Sequence, residues 1–152
     1  MRVGLISDTH GLLRPEALAY LEGSDAIVHA GDIVDPMILE RLRGIAPVTA
    51  VRGNNDFGGW AQKIPETAVV RVAGVSIYVL HDLAQLGIDP RAAGHRVVIA
   101  GHSHKPRVEE RDGVLYVNPG SAGPRRFTLP ISAGELRIER GEVAASWQQL
   151  AA

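Results

Sequence analysis

Residues 3–11 read Val3-Gly4-Leu5-Ile6-Ser7-Asp8-Thr9-His10-Gly11, a short apolar run that stops abruptly in a polar cluster. The run lacks helical periodicity, and its length suits a buried strand that delivers polar side chains to a loop. The same pattern recurs downstream. Ala26-Ile27-Val28-His29 ends at Gly31-Asp32, and Val48 to Val51 runs into Arg52-Gly53-Asn54-Asn55-Asp56. Val75 to Leu80 then delivers His81-Asp82, and Val97 to Ala100 ends in Gly101-His102-Ser103-His104.

The intervening segments show how these strands connect. Pro15 to Leu21 has helical composition with proline placed for a first turn. Asp35-Pro36 reads as an N-cap and first position of a helix over Met37 to Leu42, stopped near Gly44 and Pro47. Strand, polar loop and helix in alternation indicate an α/β sheet with crossovers, where ligands collect at the carboxyl ends of strands.

The second half is richer in hairpins. Val69 to Val72 and Val75 to Leu80 flank Ala73-Gly74, and Val108 to Arg111 and Val114 to Val117 flank Asp112-Gly113. Leu136 to Ile138 and Val143 to Trp147 close the sheet, and a short helix is expected around Asp89 to Ala93. No repeat or low-complexity tract marks a linker. The expectation is one domain over 1–152, a four-layer α/β/β/α sandwich with two mixed sheets inside and helices outside.

With 152 residues the chain can bury one core but not two ordinary ones. Sixteen Lys and Arg against 17 Asp and Glu give a formal net charge of -1, which disfavours stable nucleic-acid binding. The absence of cysteine excludes disulfides and thiolate metal sites, leaving nitrogen and oxygen ligands. Val3 to Ile6 is far too short for a signal-peptide core or membrane span, so the expected location is the cytoplasm, away from any membrane.

Five polar clusters, Asp8-Thr9-His10, Asp32, Asn54-Asn55-Asp56, His81 and His102-Ser103-His104, follow five apolar runs. A triplet such as Asp8-Thr9-His10 on its own reads more readily as a capped loop, and His102-Ser103-His104 on its own as a solvated turn. Their shared position at strand ends reverses that reading. Alternate residues there can point two side chains at one pocket, which suits metal ligands. The seven candidates are Asp8, His10, Asp32, Asn54, His81, His102 and His104, too many for one four-coordinate ion. They suit two adjacent divalent ions if a carboxylate, Asp32, bridges them. His29, inside an apolar strand, reads as a core or orienting histidine, and Arg52, Arg125 and Arg126 as solvated.

The order Asp-x-His, Gly-Asp, Gly-Asn-x-Asp, His, Gly-His-x-His resembles the calcineurin-like metallophosphoesterase superfamily. The short chain, the run Gly101-His102-Ser103-His104-Lys105-Pro106 and the later Asn118-Pro119-Gly120-Ser121 resemble its small bacterial and archaeal phosphodiesterase branch. The resemblance implies Asp8, His10 and His104 on one metal, Asn54, His81 and His102 on the other, and Asp32 between them. It implies activated water attacking phosphorus in line, with Mn²⁺ as the first expectation and Fe, Co, Ni or Zn as alternatives. Asn55 occupies the catalytic position where many relatives carry a proton-donating histidine, and an amide cannot supply that proton. The expected substrate is therefore a small phosphate ester, a phosphodiester with a good leaving group first. Asp56 is expected to orient a ligand or loop.

The resemblance leaves two other readings open. One is a non-catalytic protein-binding scaffold, the role of the small retromer subunit of the same fold family. The other is a nucleotidase or cyclic-nucleotide phosphodiesterase, for which Phe57 and Trp60 would offer an aromatic wall, although such aromatics more often anchor a loop. Relatives of this size also lead to an expectation of homo-oligomers.

Overall fold

The computed structural model describes residues 1–152. Two five-stranded sheets face each other. The first has the order β10-β9-β1-β2-β3, built from β1 (Arg2–Ile6), β2 (Ala26–His29), β3 (Val48–Ala50), β9 (Ile131–Glu139) and β10 (Glu142–Ala151). The second has the order β4-β5-β6-β8-β7, built from β4 (Thr67–Val72), β5 (Val75–Leu80), β6 (Val97–Ile99), β7 (Arg107–Arg111) and β8 (Val114–Asn118). Both are mixed. β1, β2 and β3 run parallel, as do β5, β6 and β8, while β9, β10, β4 and β7 are antiparallel to their neighbours.

Alternation along the strands decides what each face buries. Val3, Leu5 and Val28 from the first sheet meet Ile77, Val79, Val97 and Ile99 from the second, with Leu136 and Ile138 completing the seam. Ile6 and Ile27 point the other way, toward α1 (Pro15–Leu21) and α2 (Met37–Arg43), where Leu21, Ile38, Leu39 and Leu42 cover them. The outer layer over the second sheet is thinner. It consists of a 3₁₀ turn, Leu83–Gln85, and the loop after it, with Leu83 and Leu86 lying against Leu80, Val98, Ala100 and Val114. No helix is long and apolar enough to cross a membrane.

Three hairpins turn on two residues each, and in all three both turn residues have positive φ: Ala73-Gly74, Asp112-Gly113 and Arg140-Gly141. That geometry follows the right-handed twist of the flanking strands. The last hairpin is longer than its apolar residues suggest, because Gly134 and the buried Ser132 interrupt the pattern inside β9.

Three local expectations change. Asp89 to Ala93 forms one turn rather than a helix. Asp89 Oδ1 accepts from the Arg91 and Ala92 amides, and the backbone enters the left-handed region at Gly94 before a second turn can form. The helix over Met37 to Leu42 has Pro36 rather than Asp35 at its N-cap, and Asp35 Oδ1 accepts from the Met37 amide. A short helix, α3 (Gly59–Gln62), was not expected in a Gly-Gly stretch, and it forms where Trp60 packs against the helical side of the core.

Leu136 is fully buried at the seam, whereas Phe57 is 74% exposed. Leu136→Ala is expected to cost about 3 kcal/mol and Phe57→Ala less than about 0.5 kcal/mol, read from urea unfolding midpoints.

Candidate metal centre

The parallel strands of both sheets end at one edge of the sandwich, and every candidate ligand lies just beyond such an end. Asp8 and His10 follow β1, Asp32 follows β2, Asn54 follows β3, His81 follows β5, and His102 and His104 follow β6. The β1 and β2 loops continue as a pair after the strands stop, with Asp8 N–H donating to Gly31 O at 3.0 Å and His10 N–H to Asp32 O at 2.9 Å.

The backbone reaches this arrangement differently from the extended alternation expected. Asp8, His10, Asp32, His102 and His104 all have positive φ, between 46° and 68°. Such conformations are rare for residues with a Cβ and persist only where their surroundings hold them. Here the surroundings do. Asp56, as expected, orients the loops: its Oδ2 accepts from the Gly53 and Asp32 amides and its Oδ1 from the Val34 amide. Ser121 Oγ donates to Asp8 O at 3.0 Å, and Asn118 Nδ2 donates to Gly101 O at 3.0 Å.

The spacing is tight enough to exclude side chains beside the ligands. A Cβ on Gly101 would lie 2.5 Å from Asp8 Oδ2, and one on Gly53 would collide with Asp32 Oδ1 and its amide. The Gly-Asn and Gly-His pairs visible in the sequence are therefore a packing requirement of the site.

Asp8 and Asp32 are almost completely buried. Asp8 Oδ1 lies 3.3 Å from His104 Nε2, 3.8 Å from His10 Nε2 and 3.9 Å from His81 Nε2. Asp32 Oδ2 lies 3.3 Å from His81 Nε2 and 3.6 Å from His10 Nε2. These atoms face one another without hydrogen bonds. Asp8 Oδ1, His10 Nε2 and His81 Nε2 are buried with no partner at all. Two groups, Asp8-His10-His104 and Asp8-Asp32-His81, each bring three such donor atoms within 4.8 Å of one another.

Protonation follows from these contacts. Burial works against the charged form of Asp8, but the imidazoles of His10 and His104, the Ser7 hydroxyl and the charge of His81 outweigh it and hold the carboxyl well below the usual range. Asp32 is lowered as well, with His81 and the Asn55 amide overcoming its burial. Burial would lower His81, yet Asp32 and Asp8 raise it to about 9. Its Nδ1 donates to Ala30 O at 2.7 Å, which aims Nε2 at the carboxylates.

His29 behaves as a core histidine. Complete burial lowers it to about 4, so it is neutral. Gly31 N–H donates to its Nδ1, leaving Nε2–H for Thr9 Oγ1, whose hydroxyl in turn donates to Ile33 O.

The remaining candidates sit at the mouth. Asn54 and His102 line a cavity of about 320 Å³ together with His81, and His102 Nε2 is 3.8 Å from Asp82 Oδ2. His102 joins neither of the two close groups of carboxylates and imidazoles. Asn55 points inward: its amide N–H donates to Asp32 Oδ1 and its Nδ2 to Asp32 Oδ2, both at 2.9 Å. Arg52 is paired with Glu66 at 2.8 Å. Trp60 anchors its loop and Phe57 is exposed, so neither walls the cavity. Ser7 and Thr9, which also take part in the site, carry no sequence signal beyond that of loop formers. Asn118-Pro119-Gly120-Ser121 consists of turn formers, and its place at the end of another parallel strand, beside the resemblance it carries, is the signal that sets it near the site.

The profile of the calcineurin-like phosphoesterase superfamily domain matches residues 1–141. A probable metallophosphoesterase of Methanothermobacter thermautotrophicus is 34% identical over 151 residues, covering 91% of this chain and 87% of the relative. A solved archaeal phosphodiesterase superposes with a TM-score of 0.79 at 26% identity, over 97% of this chain and 100% of that one. Vps29 of Entamoeba histolytica, complexed with Zn²⁺, shares the fold with a TM-score of 0.73 at 24% identity, over 99% and 100%. Two mixed sheets, a carboxylate and histidine cluster at their common edge and these matches converge: the chain belongs to the calcineurin-like phosphoesterase superfamily.

Proposed function

We propose that the chain is a metal-dependent phosphodiesterase with two divalent ions. Asp8, His10 and His104 would hold one ion, Asn54, His81 and His102 the other, and Asp32 would lie between them. The observation that carries this reading is the set of buried carboxylate and imidazole atoms that face one another unpaired. Buried polar atoms without partners are costly, and a cation answers all of them together. A nitrogen and oxygen donor set without thiolate suits Mn²⁺ first, with Fe, Co, Ni and Zn also able to bind. When bound, such ions polarise the phosphate and lower the pKa of water, which is the chemistry hydrolysis requires.

The chain's own residues set the rest. Asn55 grips Asp32 through backbone and side chain, so its role is to hold that carboxylate in place. No proton donor stands at this position for the leaving group, which favours esters whose leaving group departs without one. A second reading, a protein-binding scaffold, draws on exposed apolar residues on the site loops, Leu12, Val34, Phe57 and Phe127. The two readings part on turnover.

Chelator-stripped protein is expected to hydrolyse bis(p-nitrophenyl) phosphate only after Mn²⁺, Co²⁺, Ni²⁺ or Zn²⁺ is returned, and His104→Ala should lower kcat/KM by at least about 100-fold. Elemental analysis should count two ions per chain. Ions without turnover would overturn the diester assignment, and neither ions nor turnover would leave the scaffold.

Ion binding must also displace the proton that Asp8 and Asp32 stabilise on His81. In the metal-free protein that protonated imidazole contributes stability fully below pH 6.5, and the contribution is lost as pH rises through about 9. Metal affinity should run the other way, strengthening from pH 6 toward pH 9 with proton release. Calorimetry in buffers of different ionisation enthalpy reads that release.

Asn55→Ala removes the Nδ2 donor from Asp32 and is expected to weaken metal binding about tenfold while leaving the fold intact. An unchanged metal dissociation constant would show that the backbone amide alone holds the carboxylate.

A further inference from the structure

The thin outer layer of the second sheet leaves a cleft beside the metal centre. Between Leu83 on the 3₁₀ turn and strand β7 opens a cavity of about 300 Å³, floored by Val98 and Tyr116. Its far wall is the outward face of β7, where Arg107, Glu109 and Arg111 alternate onto one side. The Arg111 guanidinium carbon lies 4.4 Å from the Tyr116 ring centroid, a cation-π contact that makes a flat, positively charged platform.

Charge on this wall is unbalanced. Glu109 alone answers both Arg107, at 2.7 Å, and Arg111, at 3.7 Å, and Lys105 in the same lining forms no ion pair. At its inner end the cleft is bounded by His102 and Asp82, which also line the cavity containing His81 and Asn54. The two cavities are thus neighbours across a single side-chain pair. The loop between them is fixed by Asn118, whose Nδ2 donates to both Gly101 O and Ser103 Oγ.

We propose that this cleft is the subsite for one organic arm of the diester, an arm bearing a flat aromatic ring and a further negative charge, so that nucleotide-like diesters are the substrate class. The ring lies on the Tyr116 and Arg111 platform under Leu83, and the added charge meets the surplus cations of Lys105 and β7. The proposal rests on the phosphodiesterase reading above. It moves the ring-binding wall from Phe57 and Trp60, which line neither cavity, to the cleft beside His102.

Three esters with the same leaving group test it: ethyl p-nitrophenyl phosphate, the p-nitrophenyl ester of thymidine 5′-phosphate, and that ester carrying a 3′-phosphate. With metal-loaded protein, kcat/KM should rise about tenfold from the first to the second, mainly through KM, as expected for one stacked ring. It should rise again with the 3′-phosphate. Leu83→Trp, which fills the cleft, should bring the first ratio to about one, and Arg111→Ala should remove the second gain. Equal kcat/KM for the ethyl and thymidyl esters, or ratios that neither variant alters, would overturn the subsite.

Amide NMR shifts on adding thymidine 5′-phosphate separate this proposal from the one beneath it. Shifts at Leu83 and Tyr116 support the cleft even if no ester is hydrolysed, in which case the phosphodiesterase reading alone fails. Shifts confined to the residues around Asn54 and His81, or no shifts, overturn the cleft.

Discussion

Burial of two carboxylates at one edge of the sandwich is the constraint to which the surrounding structure answers. Asp8 and Asp32 are withdrawn from water, which is expensive for charged groups unless opposite charge and hydrogen bonds replace the lost solvent. Each carboxylate has its outer valences satisfied by the chain, Asp8 Oδ2 by Ser7 Oγ and the His102 amide, and Asp32 by Asn55. Their inward oxygens face imidazole nitrogens and, within 4.8 Å, each other. The protein therefore completes the outside of the site and leaves its inside to cationic partners, protons on the histidines or metal ions in their place.

That inward convergence requires the loops to lie closer together than ordinary side chains allow. Gly53 and Gly101 permit it by having no Cβ, and left-handed backbone at Asp8, His10, Asp32, His102 and His104 turns the ligands inward within two to five residues of each strand end. Left-handed residues of this kind store strain, which the fixed hydrogen bonds of Asp56, Asn118 and Ser121 hold in place. The neutral His29 works from beneath, linking the β2 loop to Thr9 between two of the ligands. The strands supply position, and the buried polar residues supply orientation.

Much of this was legible in the chain because strand, turn and ligand carry local signals. The apolar run Val3 to Ile6 and its counterparts located the strands, Ala73-Gly74 and Asp112-Gly113 located hairpins, and the polar residues at the strand ends located the site. What escaped depends on contacts distant in sequence. Gly134 and Ser132 disguise β9 because their fitness for a strand comes from the neighbours they touch, Ser146 O and Pro119 O. Left-handed φ at aspartate and histidine has no local signature, and the inward turn of Asn55 appears only once Asp32 is beside it. The thin roof over the second sheet was also invisible, since Asp89 to Ala93 carries helical composition but only one turn.

Asn55 ties the electrostatic constraint to the choice of substrate. A histidine at this position could deliver a proton to a departing oxygen, whereas the side-chain amide that stands here donates to Asp32 Oδ2 and joins the Asn55 backbone N–H in fixing that carboxylate. On the phosphodiesterase reading, transition-state stabilisation would then come from the cations that the positioned carboxylates and imidazoles would hold and from binding energy gathered elsewhere on the substrate. The cleft beside His102 offers such a source, because an arm held there can orient the ester at the metal centre without any added acid. A chain that lacks an acid for the leaving group gains more from a well-held organic arm than one that has it, and the open outer face of the second sheet leaves room for that arm within reach of the site.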